Sequence, residues 1–229
     1  MNRRLTLKNV GKSFGAVRAL EGVSVEWDEG ASVALVGANG GGKSTLLKVL
    51  AGVTQPDTGQ VDGLEAFTIS YLPDRLAFAR GWTAWSWLTM TARWKKASPG
   101  RVDEVLAEAG LTDAARKPVA TFSQGMLRRL LYAQTRLTDA DLVLLDEPEG
   151  GLDPLWLVRL EQEFQRIRQE GRTLLFSTHL VDLAAEFADE LLVLSGGRVV
   201  AREKAAEWKA LDPVSRRHRL ATLMEAQKC

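Results

Sequence analysis

Cysteine is nearly missing from this sequence: of 229 residues only Cys229, the last, carries a thiol. No disulfide can form within the chain and no cysteine cluster can hold a metal, which suits a reducing compartment. Long apolar runs are missing as well. Stretches such as Leu142 to Leu145 and Leu191 to Leu194 fall far short of the ~18 to 20 residues a bilayer-spanning helix needs. The charged start MNRRLTLKNV lacks the apolar core of an export signal. An excess of either charge is also lacking, since 30 basic residues against 29 acidic ones leave +1. Nothing in the bulk electrostatics advertises a nucleic acid or a membrane surface as partner. The expectation is a cytoplasmic protein with a conventional core, for which 45% hydrophobic and 26% charged residues are ordinary material.

Periodicity then divides the chain. Leu5 and Leu7 alternate with polar residues, as do Val23, Val25 and Trp27, which predicts an N-terminal antiparallel β-layer. From Ser32 to Val36 the pattern is nearly continuous and apolar, the mark of a strand covered on both faces. A helix from Ser44 to Leu50 follows. Further buried strands are predicted at Leu142–Asp146 and Thr173–Phe176, with a helix between them placing Leu157, Leu160, Phe164 and Ile167 on one face. Pro154 and Gly171 stand where such a helix starts and stops. The alternation predicts an α/β fold with a mainly parallel sheet. Residues 74–135 read as an inserted helical lobe, with Val102, Val105, Leu106 and Ala109 on one stripe and Leu127, Leu130 and Leu131 on another. Residues 1–73 and 136–229 then form the β-layer, the sheet core and a charged helical tail after the turn Ser195-Gly196-Gly197, all one domain.

Chemistry concentrates at strand ends. Gly37-Ala38-Asn39-Gly40-Gly41-Gly42-Lys43-Ser44 is a phosphate-binding loop between an apolar strand and a helix, with Thr45 following. Glycines let backbone N–H groups converge on phosphate oxygens, and the helix start adds a partial positive charge there. Lys43 is expected to reach the β- and γ-phosphates and Ser44 to ligate Mg²⁺. The apolar strand ending in Asp146-Glu147 would hold the metal through Asp146 and polarise an attacking water through Glu147. These features point to a P-loop nucleotide hydrolase.

Three further pieces carry a family resemblance. Phe122-Ser123-Gln124-Gly125-Met126 resembles the signature of ABC ATPases. Asp146 to Pro154, reading DEPEGGLDP, resembles their extended Walker B and D-loop. Ser177-Thr178-His179 is similar to their switch-histidine segment. Order and spacing match over essentially the whole chain. The resemblance implies a RecA-like core with a β-layer and a helical subdomain, ATP and Mg²⁺, and an ATP-dependent dimer of this chain with itself or with a related ATPase. In that dimer each ATP would lie between the phosphate loop of one protomer and Ser123 and Gly125 of the other. Ser123 can cap its helix while the helix N–H groups face phosphate. The resemblance makes Glu147, His179 and Lys43 catalytic, gives Asp153 the coupling of the two sites and sets Phe14 to stack on adenine. It also implies a separate transmembrane permease, through which this chain would sit on the cytoplasmic face of a membrane.

Departures from the family pattern are visible. Asp74 stands where a glutamine is usual and is expected to ligate Mg²⁺, directly or through water. Glu149 and Gly150 replace a usual Thr and a usual Asn or Ser. The Ser-x-Gly-Met signature resembles the branch serving bacterial exporters and cofactor-maturation transporters. Trp82, Trp85, Trp87 and Trp94 follow Asp74 and fit either the lobe's own core or a groove for a partner helix. Arg216, Arg217, His218 and Arg219 read as a solvated helix face. Two other functions stay open at this point, a soluble ABC machine on nucleic acid or ribosomes and an ATP sensor without useful turnover. Nucleic acid is not expected as a partner, because the charge balance does not favour it.

Overall fold

Alternation at the start of the chain builds a long antiparallel hairpin. In the computed structural model, which describes residues 3–225, β1 (Arg4–Phe14) pairs with β2 (Val17–Asp28) from Arg4 opposite Asp28 to Phe14 opposite Val17. Leu5, Leu7, Val23, Val25 and Trp27 share its buried face, as period two requires. β3 (Ser32–Val36) enters the main sheet, and α1 (Lys43–Leu50) follows it. A strand the pattern did not announce, β4 (Thr58–Asp62), closes on the free edge of β1. Its sequence Thr-Gly-Gln-Val-Asp holds one apolar residue, leaving periodicity little to read. Cys229 lies outside the described residues.

The main sheet has the order β5-β6-β7-β3-β8-β9. Here β5 (Ile69–Leu72), β6 (Leu142–Asp146), β7 (Thr173–Ser177) and β8 (Glu190–Ser195) run parallel with β3, while β9 (Arg198–Lys204) returns antiparallel. Every residue of β3, β6 and β7 is buried, because both faces are covered. Ala34, Val36, Val143 and Leu145 face one core with α5 (Pro154–Gln169) and α6 (Val181–Phe187). Val33, Leu35, Leu142 and Leu144 face another with α1 and the small sheet.

The α5 stripe differs by one position from expectation. Trp156, not Leu157, joins Leu160, Phe164 and Ile167 among its buried residues. Asp153 accepts from the Trp156 N–H at 3.0 Å and caps the helix, and Trp156 is buried because it packs into the core of the helical lobe, a contact that spacing alone does not show.

α2 (Ala84–Lys95), α3 (Arg101–Glu108) and α4 (Gln124–Thr135) close on a core of their own that includes Leu88, Val105, Leu106 and Leu130. Trp82, Trp85 and Trp87 pack against it, Trp82 and Trp87 edge-to-face at 5.6 Å. Trp94 alone of the four stands out, 85% exposed. The tail forms α7 (Ala205–Lys209) and α8 (Pro213–Glu225). Its cations are partly engaged by the core, Arg216 with Asp182 at 2.6 Å and Arg219 with Glu203 at 2.9 Å.

Candidate functional site

Strands β6, β7 and β3 are neighbours, and the loops beyond their C-terminal ends carry most of the residues singled out above. That edge is where open parallel sheets place ligands. Past Val36 the backbone of Gly37 adopts φ 140°, and a methyl group there would lie 2.1 Å from the carbonyl oxygen of Leu194. Only glycine lets the loop press so closely on β8. Ala38, Asn39 and Gly40 form the exposed tip, Gly41 and Gly42 are buried, and Ser44 and Thr45 are half-buried at the start of α1. Lys43 is turned onto its own loop, donating to the carbonyls of Gly37 at 2.8 Å and Ala38 at 3.0 Å. Burial pushes its ammonium below the ordinary lysine value, opposed by the charges of Glu147, Asp146 and Glu149.

Asp146 is buried at the end of β6. Its Oδ1 accepts from Ser44 Oγ at 3.0 Å and from Ser177 Oγ at 2.6 Å, while Oδ2 is buried without a partner. Desolvation raises its carboxyl above the usual range and the two hydroxyl bonds pull it back. Glu147 has a left-handed backbone, φ 46°. Its N–H donates to Ser177 Oγ at 3.0 Å and to the Ser177 carbonyl at 3.2 Å. Its Oε1 lies 2.6 Å from His179 Nε2. Glu149 in turn accepts from the Thr178 hydroxyl and, at 3.3 Å, from the His179 N–H, with its Oε2 buried and unpartnered. Burial holds this carboxyl above the ordinary glutamate value.

Several expected residues lie outside this knot of hydrogen bonds among the described residues. Ser123 caps α4, its Oγ accepting from the Met126 N–H at 3.2 Å, and Gly125 is in the first turn of that helix. Asp153 caps α5. Phe14, at the end of β1, is 52% exposed, with the Lys12 ammonium 5.6 Å from its ring centre. Asp74, expected to ligate Mg²⁺, has its carboxylate on Arg128 at 3.1 Å and lies 3.6 Å from Arg75 Nε. Two residues gain roles the sequence did not assign. Ser177 ties Asp146 to Glu147, and buried Arg128 donates to the carbonyls of Pro73, Asp146 and Gly150.

The sequence profile of the family described as ABC transporter matches residues 20–150, more than half of the chain. The chain belongs to the ABC transporter ATP-binding family. The nickel import ATP-binding protein NikO of Rhodobacter capsulatus is 33% identical over 254 aligned positions, which cover 96% of each protein. A solved ATP-binding subunit of an ABC transporter superposes with a TM-score of 0.81 at 26% identity, covering 95% of this chain and 99% of that one. The ATP-binding cassette MJ0796, solved as a dimer in a post-hydrolysis state with ADP and Pi, gives 0.78 at 25% identity over 88% of this chain and 98% of its own.

As an ABC ATPase the chain hydrolyses ATP to ADP and phosphate with Mg²⁺. The donors present suit that ion. Mg²⁺ takes oxygen ligands, keeps several waters and uses one or two protein carboxylates beside the phosphates. Ser44 Oγ and the unpartnered Asp146 Oδ2 are such oxygens at the mouth of the phosphate loop. No helix among the described residues is long and apolar enough to cross a membrane.

Proposed function

We propose that this ABC ATPase hydrolyses ATP at the Asp146–Glu147–His179 edge and uses the cycle to drive a separate permease. The reading is carried by the 2.6 Å contact of Glu147 with His179, set beside the Ser44–Asp146 bond of 3.0 Å. Lys43 exchanges its two loop carbonyls for β- and γ-phosphate oxygens, and the loop N–H groups from Gly37 to Ser44 cradle the rest. Ser44 and Asp146 would hold Mg²⁺, which when bound neutralises phosphate charge. Glu147 accepts the proton of the attacking water, while His179 holds the Glu147 carboxylate and contacts the γ-phosphate.

Two protomers are needed for the full site. Phe14 stacks on adenine; Ser123 and Gly125 present the positive end of α4 to the nucleotide of a second protomer, identical or related; Asp153 couples the two sites. Trp94 and Met90, 85% and 43% exposed, line a groove with Trp85 and Arg93 that suits a short amphipathic helix of the permease. The chain then works at the cytoplasmic face of a membrane. Ser123-Gln124-Gly125-Met126 supports the exporter and cofactor-maturation branch.

Glu147→Gln tests the reading. It keeps the shape and loses the base, so turnover falls by ~10²-fold or more while Mg²⁺–ATP binding persists. ATP then accumulates a closed dimer by light scattering. Wild-type turnover in that variant overturns the assignment. Capture of a polytopic membrane protein by the ATP-bound variant supports the permease, and capture of ribosomes or nucleic acid instead overturns it.

A further inference from the structure

Glu147 holds a backbone conformation that a glutamate keeps only when its neighbours over-determine it, φ 46°. Ser177 grips the residue from one side through the Glu147 N–H. Arg128 grips the turn from the other. Its Nη1 donates to the Asp146 carbonyl at 3.3 Å and its Nε to the Gly150 carbonyl at 3.2 Å, on either flank of Glu147. The Gly150 N–H closes the same turn onto the Glu147 carbonyl at 3.0 Å. Remaining donors reach the Pro73 carbonyl at 3.0 Å and Asp74 Oδ1 at 3.1 Å. The Arg128 side chain is 7% exposed, and among the described residues Asp74 is the carboxylate paired with it.

Gly150 fits this arrangement by size. A methyl group there would lie 2.9 Å from Arg128 Nη2, so a larger residue would crowd the guanidinium and make it shift. Asp74 and Gly150, two departures from the family pattern, therefore meet at one cation. A planar group with five N–H donors can serve four acceptors spread around it; a lysine ammonium, with three, cannot.

We propose that Arg128 is a positioning residue for hydrolysis. It fixes the turn from Asp146 to Gly150 so that the Glu147 carboxylate meets His179, and it ties that turn to Asp74 where the chain enters the helical lobe. A shift of α4 is thereby passed to Glu147. The inference rests on Glu147 being the group that activates water.

The test uses the full chain with Arg128→Lys, Asp74→Asn, Glu147→Gln and the double variant Arg128→Lys/Glu147→Gln, measuring kcat and KM for Mg²⁺–ATP per folded molecule. Arg128→Lys is expected to lower kcat by ~30-fold or more with KM within ~3-fold, since misplacement of a reacting group by about 1 Å costs on the order of 10²-fold. Asp74→Asn lowers kcat less, by ~3- to 10-fold, at the same KM. The double variant loses nothing beyond Glu147→Gln, because both act through one group. Rescue of kcat by lysine, a rise in KM in place of the fall in kcat, or a further loss in the double variant overturns the inference. Should Arg128→Lys fail to fold, unchanged kcat in Asp74→Asn overturns it. Wild-type turnover in Glu147→Gln removes the catalytic reading and this inference together, whereas an inactive Glu147→Gln beside an active Arg128→Lys removes this inference alone.

Discussion

Replace Gly37 with alanine and the new methyl carbon lands 2.1 Å from the carbonyl oxygen of Leu194 and 3.1 Å from its carbonyl carbon, on a backbone at φ 140°. Carbon and carbonyl oxygen meet without strain at about 3.3 to 3.6 Å, so loop or strand must yield by more than ~1 Å. The yielding part is packed: Val36 pairs with Val193 just before the loop, and both are fully buried. Overpacking costs ~1–3 kcal/mol and a side chain in that backbone region adds ~1–3, giving about 2–6 kcal/mol. For a chain of this length, at about 2–4 °C per kcal/mol, the melting temperature falls by roughly 4 to 24 °C. Gly40→Ala is the control. Nothing lies within 4 Å of its methyl position, at φ 77°, so about 1–2 kcal/mol is lost. Its methyl enters open space on the loop proposed to cradle phosphate, and the expected outcome is a Mg²⁺–ATP affinity lower by ~10-fold or more, equivalent to ~1.4 kcal/mol. Thermal melts with and without Mg²⁺–ATP read both effects, since a bound ligand at free concentration L stabilises by RT ln(1 + L/Kd) and so by less when Kd rises. Equal melts for the two variants would refute the packing argument. A full ATP-induced shift in Gly40→Ala would refute the placement of phosphate.

Other perturbations follow from the same geometry. Burial raises the Glu149 carboxyl, so the folded state binds its proton more tightly than the unfolded chain and stability falls as pH rises from the ordinary glutamate value through the folded one. Glu149→Gln is therefore more thermostable than wild type at pH 8, with the gap closing as the medium is acidified toward the ordinary glutamate value; a gap independent of pH contradicts this. Ser44→Ala removes the hydroxyl that bonds Asp146 and is proposed to hold the metal, so the Mg²⁺ concentration for half-maximal turnover rises by ~10-fold or more, measured by metal titration at saturating ATP. Asp153→Ala deletes the cap bond to Trp156, costing ~1 kcal/mol by denaturant titration.

What could be read in the sequence was local. Gly37 to Ser44 sits between an apolar strand and a helix, and Leu142 to Glu147 ends in two carboxylates, so neighbouring residues alone announced the phosphate loop and its facing acids. β4 has too little apolar content to signal a strand, and the buried phase of α5 depends on Trp156 packing into the helical lobe, a contact made across the fold. Arg128 lay hidden because its partners come from segments more than fifty positions before it and about twenty after it. An arginine between stripe leucines reads as surface until the fold places Pro73 and Gly150 around it. The tryptophans were ambiguous for another reason: aromatics suit cores and interfaces alike, and only tertiary packing shows that Trp82, Trp85 and Trp87 lie against the lobe core while Trp94 stays exposed.

Strands β5 and β6 lie side by side, Ile69 opposite Leu142 and Leu72 opposite Leu145. The chain between them is thus a detour that leaves one strand and comes back to its immediate neighbour, and α2 to α4 assemble their own interior on the way. Lengthening that excursion, or redecorating its outer surface, leaves the ladder beneath Asp146 in register. Changes at Asp74 or Arg128 act elsewhere, on the turn from Asp146 to Gly150 to which Arg128 ties the detour. The architecture sorts substitutions by their reach: those on the exterior of the excursion stay local to the lobe, while those at its seam with the sheet are felt at the turn after Asp146.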